Sequence, residues 1–182
     1  MPRRIVIVTP APRGSTSGNR VTAERWARLL RELGHRVRVS EQWSGEGGQS
    51  ADVLIAIHAV KSAPSIARFA AAHPERPIVV AIGGTDVHRA RRSVDFDRSL
   101  ALATRVVVLQ PLALKELSAA TRRKTRVILQ SASPPRIRPR RPTSAFEVAF
   151  IAHLRPVKDP LRAARAARRL PASSRIVVLH AG

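Results

Sequence analysis

The stretch RRIVIVT, residues 3–9, decides the fold. After two arginines it runs through five β-branched residues without a polar interruption. A strand with one wet face alternates apolar and polar side chains. A continuous run signals a strand covered on both faces, the mark of a parallel sheet between helices. Outward from it, the chain keeps the same rhythm. Trp26, Leu29, Leu30 and Leu33 recur at i, i+3, i+4 and i+7, predicting one apolar helix stripe. Asn19 is the expected N-cap of that helix and Gly34 its C-terminal stop. HRVRVS (35–40) alternates Arg and Val, as on a strand near a sheet edge.

Four further strands are predicted from ADVLIAIH (51–58), RPIVVAIGG (76–84), TRVVVLQ (104–110) and TRVILQS (125–131). Helices are expected over 62–72, over 97–103 and from Pro111 onward, proline being tolerated in a first helical turn. Six such units predict an α/β, Rossmann-like parallel-sheet domain over residues 1–132. SPPRIRPRRPTSA (133–145) has no apolar periodicity and reads as a semi-extended linker. The pattern then restarts with a strand over 146–152, a loop over 153–158, a helix over 159–170 and a strand over 174–179. That is the expected start of a second Rossmann-like domain. A piece so short could not bury its own faces, so the chain reads as truncated.

The 182 residues contain no cysteine, which excludes disulfides and thiolate metal sites. No apolar run reaches about 18 residues, so no membrane span is expected. The apolar run Ile5–Val8 is too short for a signal-peptide core. The expectation is a soluble, cytoplasmic protein. With 33 basic and 12 acidic residues the net charge is +21, which draws attention to polyanions. The arginines are scattered along the chain, and aromatic residues are too few for a base-stacking platform. No specific nucleic-acid partner is therefore expected, although a basic nucleic-acid-binding α/β domain stays open as an alternative. Small phosphorylated ligands suit the same charge.

In open α/β sheets ligands sit beyond the carboxyl ends of the strands, and four loops qualify. TPAPRGSTSGNRVTA (9–23) places Gly14 and Gly18 in a turn that enters a helix, where a backbone can approach phosphate. It lacks both the dinucleotide glycine fingerprint and the P-loop pattern. Ser40 also closes the second strand where a dinucleotide-binding domain would carry an acid. His58 ends the third strand; no second ligand at metal spacing accompanies it, so no metal is expected. GGTDVHR (83–89) offers Asp86, able to accept sugar hydroxyls or to orient His88 or Arg89. HLRPVKDP (153–160) sets Arg155 and Lys158 at a strand-to-helix junction, suited to a diphosphate. These residues predict a phosphorylated ligand held between two domains.

Several of these stretches resemble a known family. SGNRVTAERWARLLRELGHRVRV, ADVLIAIHA and IAHLRPVKDPLRAARAARRLP are similar to the first loop and helix, the third strand, and the start of the nucleotide-sugar domain of GT-B-fold glycosyltransferases. Together with GGTD and VVLQPLAL they resemble the selenosugar synthases of selenoneine biosynthesis, a group similar to the retaining glycosyltransferases of family four. The resemblance covers essentially the whole chain. It implies transfer from a UDP-sugar, UDP-N-acetylglucosamine in this group, to selenophosphate, with no metal or other cofactor. It assigns Arg155, Lys158 and Gly18 to the donor diphosphate, and Ser17, Asn19, Arg20, Lys61 and Thr85 to the acceptor. His58 and Asp86 are the implied catalytic pair, and Arg89 a further anion contact. A family-four-like enzyme with another acceptor stays open. Members of the family carry their uridine and sugar contacts, a pair of glutamates among them, further along, and none of these maps onto residues 1–182.

Overall fold

The computed structural model describes residues 1–45, 50–87, 93–132, 137 and 144–181, apart from the side chain of Val157. Most of the predicted linker, together with His88 and Arg89, lies outside the described residues. The chain divides into two compact units, Met1–Ala132 and Ser133–Gly182.

In the first unit six parallel strands form one sheet: β1 (Arg4–Val8), β2 (Arg36–Ser40), β3 (Val53–Ile57), β4 (Ile78–Ile82), β5 (Arg105–Val108) and β6 (Thr125–Val127). The spatial order is β2-β1-β3-β4-β5-β6. The Rossmann-like α/β reading holds, and β2 does lie at an edge. Between them run α1 (Gly18–Glu32), α2 (Ala63–Ala72) and α3 (Val94–Leu102), and α4 (Ala119–Arg123) precedes β6. Side-chain parity sorts the core into two layers. Ile5, Ile7, Ile55, Ile57, Ala81 and Val107 pack against α1. Val6, Val8, Leu54, Val80 and Val106 pack on the other face with Ile66 and Phe69 of α2 and Phe96 and Leu100 of α3. Both faces of β1 are thus covered, which is why its sequence never alternates.

Of the stripe predicted for α1, Trp26 and Leu30 pack toward the sheet, whereas Leu29 and Leu33 do not. Ala23 and Ala27 are fully buried, with Trp26 and Leu30 packed beside them. Leu29 is 39% and Leu33 73% exposed. Small alanines occupy the rest of the buried stripe, so Leu29 and Leu33 fall outside the contact. The N-cap is Ser17, not Asn19: its side chain accepts from the Arg20 N–H at 3.4 Å. Asn19 is already the second residue of the helix. The C-terminal stop is at Gly34 as expected, with φ +86°. The Gly34 N–H donates to Arg31 and the His35 N–H to Leu30, completing a Schellman cap. A Cβ at Gly34 would meet nothing within 4 Å. Gly34→Ala should therefore cost about 1 kcal/mol from backbone strain alone, read from the urea midpoint. A stabilised variant would overturn that account.

Other boundaries move for local reasons. Ser93 caps α3 through the Phe96 N–H, starting the helix at Val94 and not at 97. Pro111 opens a 3-10 turn, Pro111–Glu116, because the backbone is extended again at Leu117. β6 pairs over only three residues. In the second unit β7 (Phe146–Ile151) pairs in parallel with β8 (Ile176–Ala181), joined through α5 (Arg162–Ala167). This helix is shorter than predicted: Asp159 takes a left-handed φ of +46° before Pro160, which delays the helix start.

Candidate functional site

The strand order places a switch point between β1 and β3. From β1 the chain runs outward to β2, whereas from β3 it runs the other way. Ligand crevices in such sheets open there, at the carboxyl ends. His58 follows β3 at this point. It is buried, and its φ of +74° is left-handed, a conformation that costs a β-carbon residue about 1–3 kcal/mol. The surrounding turn holds it there. The His58 N–H donates to Ala81 O at 2.9 Å and His58 O accepts from the Ser62 N–H at 3.0 Å. The Ser62 hydroxyl donates to Ile57 O at 2.8 Å, and the Ser99 hydroxyl of α3 donates to Ala59 O at 2.9 Å.

The His58 ring faces Asp86. Nδ1 lies 2.8 Å from Asp86 Oδ1, and Asp86 is fully buried. An ionised carboxylate can only accept, so Nδ1 presents its proton to Asp86, and in the neutral ring Nε2 is then the nitrogen with the lone pair. The Lys61 amide is 3.3 Å from Nδ1, the weaker contact of the two. Asp86 Oδ2 also accepts from the Gly83 N–H at 3.1 Å, and Oδ1 lies 3.4 Å from the Val60 N–H. Nε2 lies 3.3 Å from the hydroxyl of exposed Thr85. The structure therefore brings His58, Asp86 and Thr85 together and separates their roles. His58 and Thr85 can meet a ligand. Asp86 lies behind the ring with no surface of its own, its carboxylate set against His58 Nδ1 and the Gly83 N–H.

The loop after β1 reaches α1 beside the same edge of the sheet. Ser17 is spent on its cap, while exposed Gly18 and half-buried Asn19 begin the helix. Arg20 is buried and its guanidinium bonds Glu24 at 2.5 Å, so its charge is already matched. Lys61 is exposed, and its ammonium has no acidic partner among the described residues. Of the three predicted anion contacts, Arg89 lies outside the described residues, Arg20 is matched by Glu24, and Lys61 is exposed. Two residues escaped the sequence reading. The Thr9 hydroxyl, wholly buried at the end of β1, meets no hydrogen-bond partner among the described residues. Ser99 steadies the His58 turn from 40 residues away.

In the second unit Arg155 and Lys158 flank a 3-10 turn, Pro156–Lys158. The Lys158 N–H donates to Arg155 O at 2.8 Å, which fixes the two residues at either end of one tight turn. The neighbouring acid, Asp159, is held by Arg162 at 2.6 Å. Arg155 and Lys158 are exposed and carry no acidic partner among the described residues. The helix N-terminus expected beside them lies at Arg162, and α5 is too short to add an appreciable dipole.

Fold and geometry define a doubly wound α/β domain whose carboxyl edge carries a His–Asp pair at the switch point. No protein-family model matches the chain, and no curated protein matches it. Among the described residues no helix is long and apolar enough to cross a membrane.

Proposed function

We propose that the chain is a glycosyltransferase of the GT-B type that draws on a UDP-sugar. In the narrower reading it joins UDP-N-acetylglucosamine to selenophosphate, giving a selenosugar with selenium on the anomeric carbon. The observation that carries the enzymatic reading is the buried Asp86 behind a left-handed His58, with Nε2 turned toward Thr85. A strained backbone held in place by its surroundings at a carboxyl edge is characteristic of sites that act on ligands. The narrower reading rests on the sequence resemblance.

In this reading selenophosphate arrives already anionic, so the protein needs to position it more than to deprotonate it. Lys61 supplies the cation, and His58 Nε2 and the Thr85 hydroxyl orient the acceptor or an adjacent sugar hydroxyl. The bond from the anomeric carbon to the diphosphate oxygen breaks as the bond to selenium forms. Arg155 and Lys158 take up the charge of the departing UDP.

The test is turnover by the full chain with UDP-N-acetylglucosamine and selenophosphate, following UDP release and the new carbon–selenium bond by mass spectrometry. His58→Ala should lower the rate about 100-fold. UDP release that needs a different acceptor would favour the broader family-four-like reading. Failure to prefer UDP over other nucleoside diphosphates would overturn both.

A further inference from the structure

Two arginines of the edge strand β2 share one side of the sheet. Alternation along β1 and β2 sends Ile5, Ile7, Val37 and Val39 to the layer that packs against α1. The residues between them, Arg4, Val6, Arg36 and Arg38, therefore lie on the opposite face. Strand register brings the four together: Arg4 is paired with Arg36, and Val6 with Arg38. Together with Ser50 they line a cavity of about 240 Å³. Val6 is buried and is the apolar residue of this face, so the other three side chains set the charge.

The one carboxylate bonded to this group is already engaged. Asp52 accepts from the Arg4 N–H at 2.8 Å and from the Arg4 guanidinium at 2.9 Å. The guanidinium bond, with the backbone bond behind it, holds the Asp52 carboxyl down at about 2. Asp52 is therefore ionised at neutral pH and orients Arg4. Arg4 gives it one nitrogen of a guanidinium that carries five N–H donors. Arg36 and Arg38 are exposed, with no acidic partner among the described residues. Three guanidinium groups against one carboxylate leave two positive charges in excess. Charge on an edge strand also deters edge-to-edge pairing. Any charge on either face meets that need, and it does not call for unpaired arginines on one face around a concavity.

We infer that this cavity is a second anion site, binding a small dianion of the phosphate class, either free phosphate or a phosphate monoester. Arg4, Val6, Arg36 and Arg38 lie in the amino-terminal halves of their strands, whereas His58 follows the carboxyl end of β3. The two sites are therefore at opposite ends of the sheet. A guanidinium fork grips two phosphate oxygens at once, and two excess charges match a dianion. Drug-sized ligands fill about 300–1,000 Å³. The smaller volume here suits a phosphate group with little attached to it.

The experiment is a titration of the full chain with inorganic phosphate at constant ionic strength, followed by the arginine Nε–Hε and backbone amide resonances. The Arg36 and Arg38 signals should shift and saturate, and sodium chloride at the same ionic strength should not move them. In R36Q/R38Q the affinity read from the remaining signals of β1 and β2 should fall at least about tenfold, as two charge-assisted bonds are lost. R122Q/R123Q removes the same charge from α4 and should stay within about twofold of wild type. Should R36Q/R38Q lose the dispersed amide spectrum of a folded sheet, R38Q alone carries the test, with a loss of at least about threefold expected. Glycerol phosphate bound as tightly as phosphate assigns the site to a monoester, and phosphate bound about tenfold more tightly assigns it to the free ion. Equal shifts with chloride, equal losses in the two double variants, or an unchanged affinity in a folded R36Q/R38Q would each overturn the site.

Discussion

Asp86→Ala is expected to lower the unfolding free energy by about 3 kcal/mol, because it strands the protonated Nδ1 of His58 and the Gly83 amide around a vacated, buried position. Denaturant titration reads this directly as a lower midpoint at unchanged slope. Asp86→Asn separates stability from chemistry. An asparagine fills the same space, and its oxygen can keep the Gly83 bond. Its NH2 then faces Nδ1, which must present a lone pair, so the imidazole proton moves to Nε2. The nitrogen facing Thr85 changes from acceptor to donor. Nitrogen-15 shifts of the His58 ring should report the exchanged tautomer. Turnover should fall about 10²–10⁴-fold with much less loss of stability. If the asparagine variant keeps both tautomer and rate, and the alanine variant unfolds within about 0.5 kcal/mol of wild type, the pair has no part in positioning.

What the sequence made legible follows from what each feature depends on. The unbroken β-branched run at 5–9 reports burial on both faces, because parallel strands leave no room for alternation. Gly34 was legible because only a left-handed residue closes that helix. Half of the α1 stripe, Trp26 and Leu30, was legible, and Leu29 and Leu33 were misassigned because periodicity finds the apolar residues but not how close the helix sits. Ala23 and Ala27 are small, and smallness signals contact only once the sheet beneath is known. Asn19 and Ser17 are both good caps, and two residues of sequence could not choose between them. His58 and Asp86 were each legible as residues at strand ends. Their 2.8 Å contact was not, since it joins loops from adjacent strands. Ser99 left no signal at all, and the grouping of Arg4, Arg36 and Arg38 emerges only from strand register.

Arg155→Ala and Lys158→Ala are expected to weaken UDP binding about 10–100-fold each, since a charge-assisted hydrogen bond contributes about 1.5–3 kcal/mol. The geometry makes this test clean. Both side chains are exposed and neither bonds an acid, so truncation should change stability by no more than about 0.5 kcal/mol. A loss of affinity then cannot be assigned to unfolding. The two residues also differ in kind. Arg155 presents a planar fork able to grip two oxygens, whereas Lys158 is a point charge on a flexible stem. Arg155→Lys should therefore lose about tenfold, because it keeps the charge and loses the fork. Calorimetry with UDP and UMP completes the argument. A diphosphate site should make wild type prefer UDP, and each alanine variant should narrow that preference by weakening UDP more than UMP. If UDP and UMP weaken equally, the two residues contribute general attraction to anions and the diphosphate assignment fails. If neither weakens, the basic turn after β7 is a solvated loop, and the donor site has to be sought at residues other than this pair.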